Sequence, residues 1–259
     1  MIRKIAIANQ KGGVSKTTTT HALGAGLGIK GYKVLLIDLD PQANLTDNAG
    51  IDNYNNNTIY EVMKGDIKAD EAIREAKYFD IIPSNLNLAS ADLEFAKTGK
   101  EYILKETLAE IEKDYDFIIL DTPPALGILT VNAFTYVDDI IIPTNASIFA
   151  SSGIMQLFNS IETVKKYCNP NVKIDGILFT KFNKRTIIAS EIKELTEIIS
   201  KEIKTKVYKA QVRNSVMVEE AQANRIDIYS YDEKNNVSKD YMIFIDEYLS
   251  GLGKEKINV

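Results

Sequence analysis

Short runs of β-branched and other apolar residues recur along the chain, separated by longer stretches with helical spacing. There are seven such runs: KIAIAN, KVLLID, FDIIPS, FIILDT, DIIIPT, KIDGILFT and KVYKA. Strands that are apolar on both faces and joined through helices are typical of mostly parallel sheets covered on each side. Right-handed crossovers place the loop-bearing ends of such strands along one edge. The sequence therefore predicts an α/β fold, a mostly parallel twisted sheet with helices on both faces.

The remaining patterns limit how the chain is organised. Helices are predicted at residues 17–30, 101–113, 126–136, 151–167, 187–203 and 238–250. Neither a repeat nor a linker divides the sequence, so we expect residues 1–259 to form a single domain. No apolar run approaches the ~20 residues of a membrane span, and the N-terminus lacks a signal-peptide pattern. We therefore expect a cytoplasmic protein.

A glycine-bearing turn follows the first predicted strand, where residues 9–20 read NQKGGVSKTTTT. The pattern G-x-x-x-x-G-K-[ST] of phosphate-binding loops is matched by Lys16 and Thr17, whereas Gln10 and Ser15 replace its two glycines. A strand, such a turn and a helix together aim backbone N–H groups at one anion, and the helix dipole adds a favourable partial charge. The turn is therefore a candidate phosphate site.

Each residue of this turn has an expected role. The Gly12-Gly13 pair lets the backbone approach a phosphate closely. Lys16 is expected to contact the β- and γ-phosphates, Thr17 to give its hydroxyl to Mg²⁺, and Thr18 to reach another phosphate. The predicted nucleotide-binding residues of the turn are Gly12, Gly13, Val14, Ser15, Lys16, Thr17 and Thr18.

Carboxylates follow two other predicted strands. VLLIDLDPQANLT places Asp38 and Asp40 at a strand end, and FIILDTPP places Asp121 after four apolar residues. Carboxylates at this edge of a parallel sheet, next to a phosphate loop, can hold Mg²⁺ or position a water molecule. The predicted metal ligands are Thr17, Asp38 and Asp121.

The three blocks together resemble one family. KGGVSKTT resembles the deviant Walker A motif K-G-G-x-G-K-[ST]-[ST] of the ParA/MinD family of P-loop ATPases, with Ser15 where that family usually has glycine. VLLIDLDPQ is similar to its D-x-D-P-Q motif, and DTPP to its D-x-P-P switch segment. The resemblance implies a P-loop NTPase fold, with ATP and Mg²⁺ as cofactors.

The resemblance also implies roles for three residues in catalysis. Lys11 would be the signature lysine, which reaches across an ATP-bound dimer to the nucleotide of the other subunit. Lys16 would bind the phosphates, and Asp40 would orient or activate the attacking water. Thr122, Pro123 and Pro124 would sense the γ-phosphate.

Near the C-terminus, VRNSVMVEEAQANRIDIYSYD resembles the adenine-proximal loop of ParA-type proteins. Arg213 and Asn214 match that loop, whereas Val212 stands where proline is common. The resemblance therefore extends the nucleotide site to Arg213 and Asn214.

Charge is uneven along the chain, although the net charge is −5. Residues 161–213 hold 12 Lys+Arg and 6 Asp+Glu, so they form a basic segment in an acidic protein. Such a segment could dock phosphates or could be an ordinary solvated surface. The candidate DNA contacts are Lys181, Lys184, Arg185, Lys204, Lys206, Lys209 and Arg213.

A ParA/Soj-type partition ATPase is the function that the resemblance implies. Its partners would be nonspecific double-stranded DNA, a ParB-like or small centromere-binding activator, and a second copy of the chain in an ATP-dependent homodimer. The protein would be cytoplasmic and nucleoid-associated. We expect no helix-turn-helix extension before the first strand.

Two alternatives stay open. MinD-type relatives bind membrane through a basic amphipathic C-terminal helix, but here Asp246 and Glu247 interrupt the apolar part of the tail, which favours a packing helix. A nucleotide-controlled regulator with little turnover is favoured only by Ser15. Iron–sulfur relatives are disfavoured because Cys168 is the one cysteine.

Overall fold

The computed structural model describes residues 2–52, 57–95 and 98–253. Its strands are β1 (Arg3–Ile7), β2 (Val34–Asp38), β3 (Arg74–Glu75), β4 (Asp80–Ile82), β5 (Phe117–Asp121), β6 (Asp139–Thr144), β7 (Lys173–Phe179) and β8 (Val207–Gln211). In this part of the chain they form one sheet in the order β3-β4-β2-β5-β1-β6-β7-β8. Every neighbouring pair is parallel except β3 with β4. The predicted mostly parallel sheet is confirmed, with a two-residue antiparallel edge strand added.

Helices connect the strands and cover both faces of the sheet. They are α1 (Lys16–Ile29), α2 (Asn44–Asn48), α3 (Ile59–Lys64), α4 (Ala91–Glu94), α5 (Ile103–Leu108), α6 (Ile128–Tyr136), α7 (Ala150–Tyr167), α8 (Ile187–Glu202), α9 (Val216–Ala223), α10 (Ile228–Asp232) and α11 (Asn236–Gly251). Short 3₁₀ turns lie at Asp70–Ala72, Leu86–Ser90, Lys100–Tyr102 and Glu112–Asp114.

The apolar core has two layers, one on each side of the sheet. Successive side chains of a strand point to opposite faces. In β1, Ile5 and Ile7 join a buried cluster with α1 and α11, whereas Ala6 joins a second cluster with α3, α5, α6 and α7. Apolar residues on both faces of the strands are needed because both faces are covered.

The helix predicted at residues 101–113 is wrong as one continuous element. It consists of a 3₁₀ turn, the six-residue α5 and a second 3₁₀ turn. After Leu108 the backbone bonds change to a three-residue spacing, with the Ile111 N–H on the Leu108 carbonyl and the Asp114 N–H on the Ile111 carbonyl. This tighter winding accompanies the burial of Ile111 against the core.

The last helix, α11, packs against the rest of the protein, as predicted. The Asp246 carboxylate lies 2.8 Å from the Lys30 ammonium. The Glu247 carboxylate accepts hydrogen bonds from the N–H groups of Lys209 and Ala210 on edge strand β8, both at 2.9 Å. The buried apolar side chains of α11 are Val237, Tyr241, Phe244, Ile245, Tyr248 and Leu249. Across the described ranges, no helix has the length and apolar character needed to cross a bilayer.

Candidate nucleotide-binding site

The glycine-bearing loop connects β1 to α1 at the carboxyl edge of the sheet. The Asn9 side-chain amide donates to the Pro143 carbonyl at 2.8 Å, and its oxygen accepts from the Lys11 N–H at 3.0 Å. The Thr180 hydroxyl donates to the Val14 carbonyl at 3.0 Å. The loop is therefore fixed to the ends of β6 and β7.

Ser15 adopts the left-handed backbone conformation, with φ 62° and ψ 35°, at the position where the ParA/MinD motif has glycine. An L-residue is strained there, whereas glycine is not. The serine side chain makes no capping hydrogen bond that would offset the strain. A Cβ placed on Gly12 or Gly13 would meet nothing within 4 Å, so the loop faces open space in which a ligand can approach its backbone.

Lys16 is the first residue of α1, and its side chain is buried, with 8% of the residue exposed. Burial lowers the pKa of its ammonium group, whereas the charges of Asp121 and Asp40 raise it. The structure thus brings together the predicted phosphate-binding lysine and two of the predicted carboxylates.

Asp38 and Asp121 end β2 and β5 and are paired in register, and both are fully buried. The Thr17 hydroxyl donates to an Asp121 oxygen at 2.6 Å. Asp38 accepts from the N–H and the hydroxyl of Thr46, at 2.9 and 2.8 Å. Burial raises the pKa of both carboxyls, and the neighbouring Asp38 charge raises that of Asp121 further.

This group suits a magnesium ion. Mg²⁺ prefers hard oxygen ligands and is usually bound by one or two carboxylates, with phosphate and water oxygens completing its shell. The two buried carboxylates and the Thr17 hydroxyl are the oxygen ligands that the protein supplies. A bound cation would offset the free-energy cost of burying two negative charges. The described residues contain no group of three or more His, Cys, Asp or Glu side chains that could hold a metal ion. Phosphate and water oxygens would therefore have to complete the shell of an ion at Asp38 and Asp121.

Asp40 and Lys11 lie at the rim of the site. Asp40 accepts from the Gln42 N–H at 3.0 Å and is partly exposed. The Lys11 ammonium donates to the Asn145 side-chain oxygen at 3.2 Å and to the Ser147 hydroxyl at 2.7 Å. Both contacts of Lys11 are to the loop that joins β6 to α7 within the same chain.

Comparison with known proteins shows the family. Residues 2–174 match the sequence model of a family described as "AAA domain". The chain is 36% identical over 242 residues to the sporulation initiation inhibitor protein Soj of Bacillus subtilis, covering 92% of this chain and 94% of that protein. It is 35% identical over 259 residues to the chromosome partitioning protein ParA of Caulobacter vibrioides, covering 96% and 94%. The chain belongs to the ParA/Soj family of partition ATPases.

Solved structures agree with the fold of this ParA/Soj-family chain. Cobyrinic acid a,c-diamide synthase from Mycobacterium smegmatis, solved with bound ADP and magnesium, has a TM-score of 0.85 and 32% identity, covering 99% of this chain and 98% of that one. A putative plasmid partition protein from Borrelia burgdorferi B31, bound to AMPPNP, has a TM-score of 0.81 and 28% identity, covering 97% and 100%. The P-loop NTPase fold is confirmed.

The predicted adenine-proximal loop of the ParA/Soj-family chain follows β8. Its Arg213 guanidinium binds both oxygens of Asp240, at 2.6 and 2.8 Å, which fixes the loop to α11. On α9, the Gln222 amide donates to the Thr18 hydroxyl at 3.2 Å. This contact ties the region to the start of α1. Gln222 lies within the stretch that resembles the adenine-proximal loop, but the resemblance assigned a role only to Arg213 and Asn214.

A cavity of about 480 Å³ opens beside Arg213 and Asn214. Its lining residues are Phe182, Asn183, Lys184, Arg185, Gln211, Arg213, Asn214 and Asp240. A larger cavity, about 630 Å³, lies between α1 and α11 and includes none of the predicted site residues.

The structure does not bring the seven candidate DNA contacts onto one surface. Lys184, Arg185 and Arg213 share the cavity at the carboxyl ends of β7 and β8. Lys206 precedes β8, and its ammonium lies 3.2 Å from the Asp175 carboxylate near the start of β7. The length of β8 separates Lys206 from that cavity by on the order of 20 Å. By position in the chain, Lys181 belongs to the first group and Lys204 to the second, while Lys209 is exposed within β8.

Proposed function

We propose that this ParA/Soj-family ATPase binds ATP with Mg²⁺, forms a homodimer with the nucleotides between the two copies, and in that state binds double-stranded DNA without sequence preference. Hydrolysis, stimulated by a ParB-like or small centromere-binding activator, releases the DNA. The observation that carries the proposal is Lys11 at the rim of a phosphate site that also contains Lys16, Thr17 and Asp121. The Soj and ParA relatives favour the same function.

Residue roles in hydrolysis follow from their positions. Lys16 binds the β- and γ-phosphates, and Thr17, Asp38 and Asp121 hold the cation, which when bound neutralises charge on the phosphate oxygens. Asp40 is more exposed than the metal carboxylates and lies near enough to Lys16 to affect its pKa. That position suits a residue that orients the attacking water.

Dimerisation is favoured by the surface around Lys11. Ile148 and Phe149 follow Ser147 directly, and each is 66% exposed, while Leu126, which follows β5 at the same edge of the sheet, is 43% exposed. Adjacent exposed apolar side chains such as Ile148 and Phe149 are typical of a surface that another protein covers. In a dimer, Lys11 leaves Asn145 and Ser147 and reaches the nucleotide of the second copy.

DNA binding is assigned to the basic residues nearest the nucleotide. Lys181, Lys184 and Arg185 follow β7 at the carboxyl edge of the sheet, the edge that also carries the phosphate loop. Contacts to phosphates carry no sequence information and weaken steeply with salt. Two such groups joined by dimerisation double the contacts, so ATP could raise DNA affinity sharply. Nucleoid association follows from the same binding.

A second candidate function is a nucleotide-switched regulator with little turnover. The strained Ser15 favours it, because the strain lies in the loop that must hold the phosphates during hydrolysis. Under either function we propose that residues 1–259 form a single domain.

The first experiment measures binding to random-sequence duplex DNA with ATP, ADP or no nucleotide, over a salt titration and beside anionic liposomes. We expect binding with ATP only, weakened by salt and lost in Lys16→Ala. Lys11→Ala should keep ATP binding but lose both the dimer and DNA binding, whereas Lys234→Ala, an exposed lysine elsewhere, should change neither. Failure to bind DNA in every state, or ATP-dependent liposome binding, would overturn the proposal in favour of a MinD-type role.

A further inference from the structure

We propose that Asp92 is a positioning residue for ATP hydrolysis, acting on the switch segment, residues 121–127. Asp92 lies in α4, outside the phosphate loop and outside the strands that carry the metal carboxylates. The inference rests on the proposed function, because it concerns the rate of the same reaction.

Asp92 caps the helix that follows the switch segment. Its Oδ1 accepts a hydrogen bond from the N–H of Ile128, the first residue of α6, at 2.7 Å. Gly127 occupies the N-cap position of α6 and has no side chain with which to cap it. A carboxylate at this place both satisfies a free N–H group and interacts favourably with the helix dipole. Asp92 therefore supplies from α4 the cap that α6 lacks in its own sequence.

A side chain at residue 127 would displace the Asp92 carboxylate. A Cβ added to Gly127 would lie 2.6 Å from Asp92 Oδ2 and 2.9 Å from Oδ1, which is too close for any carbon atom, so the Asp92 side chain would have to move. The end of the switch segment and the Asp92 carboxylate thus fit each other directly, with no side chain between them.

The switch segment is fixed at its two ends and exposed in the middle. At its start, the Thr122 hydroxyl donates to the Ile7 carbonyl at 3.0 Å. At its end stands the Asp92 contact, and between them Pro124, Ala125 and Leu126 are exposed. When the exposed residues move to contact a phosphate, the hydrogen bond between Asp92 and Ile128 limits the positions that they can reach. Loss of that contact should weaken positioning for hydrolysis more than nucleotide binding.

The residues on either side of Asp92 attach α4 to the rest of the protein, although Asp92 itself is exposed. Glu94 accepts hydrogen bonds from the hydroxyls of Tyr60 on α3 and Ser90, both at 2.6 Å. Ala91 and Phe95 are buried in the core. These contacts fix the backbone from which the Asp92 carboxylate reaches α6, as a positioning contact requires.

The test uses a fluorescent reporter in the switch segment. The chain contains no tryptophan, so Leu126→Trp gives one signal from the exposed middle of the segment. In this background, Asp92→Ala should lower kcat about three- to tenfold, the range expected when a helix cap is lost from a transition-state arrangement. KM should stay nearly constant, and the difference in emission between ATPγS and ADP should shrink. Asp92→Asn should retain part of the kcat and part of the emission difference. Gly127→Ala should behave like Asp92→Ala.

Asn235→Ala is the matched control. Asn235 caps α11 by accepting from the N–H of Val237 at 2.9 Å, and it lies outside both the switch segment and the adenine-proximal stretch. The Asn235→Ala protein should lose stability but keep kcat and the emission response. Wild-type kcat in Asp92→Ala, or an equal loss of kcat in Asn235→Ala, would refute the inference. A reporter protein that neither hydrolyses ATP nor responds to it would instead overturn the proposed function, and the inference with it.

Discussion

Replacing Ser15 with glycine should stabilise the nucleotide-free protein. Ser15 has φ 62° and lacks a capping hydrogen bond, so the strain of the left-handed conformation has no compensating contact. That strain costs an L-residue about 1–2 kcal/mol. Glycine also makes the unfolded chain more flexible, which lowers the free energy of unfolding by about 0.4–1 kcal/mol. The net gain is therefore on the order of 0.5–1 kcal/mol, and in a chain of this size it raises Tm by about 1–3 °C.

Two control variants separate strain from other effects. Ser15→Ala keeps the Cβ and should show no gain, because alanine is strained in the same conformation. Lys204→Gly replaces an exposed residue with φ 56° before β8, at the opposite edge of the sheet from the phosphate loop, so it should give a similar rise in Tm. Thermal unfolding by calorimetry, without nucleotide, measures all three.

ATP affinity gives a second readout. Glycine can adopt the same left-handed turn and keeps the backbone N–H of this position, so the loop offers the phosphates the same donors. The Kd for ATP should therefore change by no more than about twofold in Ser15→Gly. A rise in Tm for Ser15→Ala equal to that for Ser15→Gly, or a fall for Ser15→Gly, would show that backbone strain at this position is not the cause.

Three further predictions concern buried and paired groups. Burial lowers the pKa of His21 from 6.5 to about 4, so the unfolded state takes up a proton at a higher pH than the folded state. The free energy of unfolding should therefore fall by about 3 kcal/mol as the pH is lowered from 6.5 to 4. Calorimetry across this pH range should not show this loss in His21→Gln. Burial raises the pKa of Asp38 to about 7 and of Asp121 to about 8, so without a cation the free energy of unfolding should fall as the pH rises from 4 to 8. Binding of Mg²⁺ with nucleotide at pH 7 should release protons from these carboxyls, and Asp121→Asn should release fewer. Titration calorimetry in two buffers of different ionisation enthalpy measures the number of protons released. Glu247→Ala should cost about 0.5–1.5 kcal/mol by removing the hydrogen bonds to two N–H groups of β8, of which the exposed Lys209 N–H can bond water instead; an unchanged Tm would contradict this.

The sequence predicted which residues meet at the carboxyl edge of the sheet because these parts are local. Residues 12–18 span the turn after β1 and the first residues of α1, so the pattern places them next to one another. Asp38 and Asp121 are far apart in the chain, but each ends a parallel strand, and parallel strands present their carboxyl ends at the same edge. These two residues are paired in register. One topological rule therefore suffices to place them together.

Contacts between helices far apart in the chain could not be predicted in this way. The Gln222 amide meets Thr18 across 204 positions, and Asp92 meets Ile128 across 36. Neither pair lies at a strand end that a sheet rule would locate. The helix predicted at residues 101–113 was also wrong as one element, because the local pattern does not show the change to three-residue backbone bonds at Ile111, where the chain meets the core.

Linear charge was the least reliable guide, and the reason is visible in α8. This helix lies inside the basic segment of residues 161–213, yet it holds four glutamates and two lysines. It divides the basic residues into a group that follows β7 and a group that precedes β8. Nucleotide can change DNA affinity only where DNA contacts and the phosphate loop respond to the same event. The group after β7, Lys181, Lys184 and Arg185, shares the carboxyl edge with the loop, so an ATP-controlled DNA surface should include these residues and exclude Lys204 and Lys206.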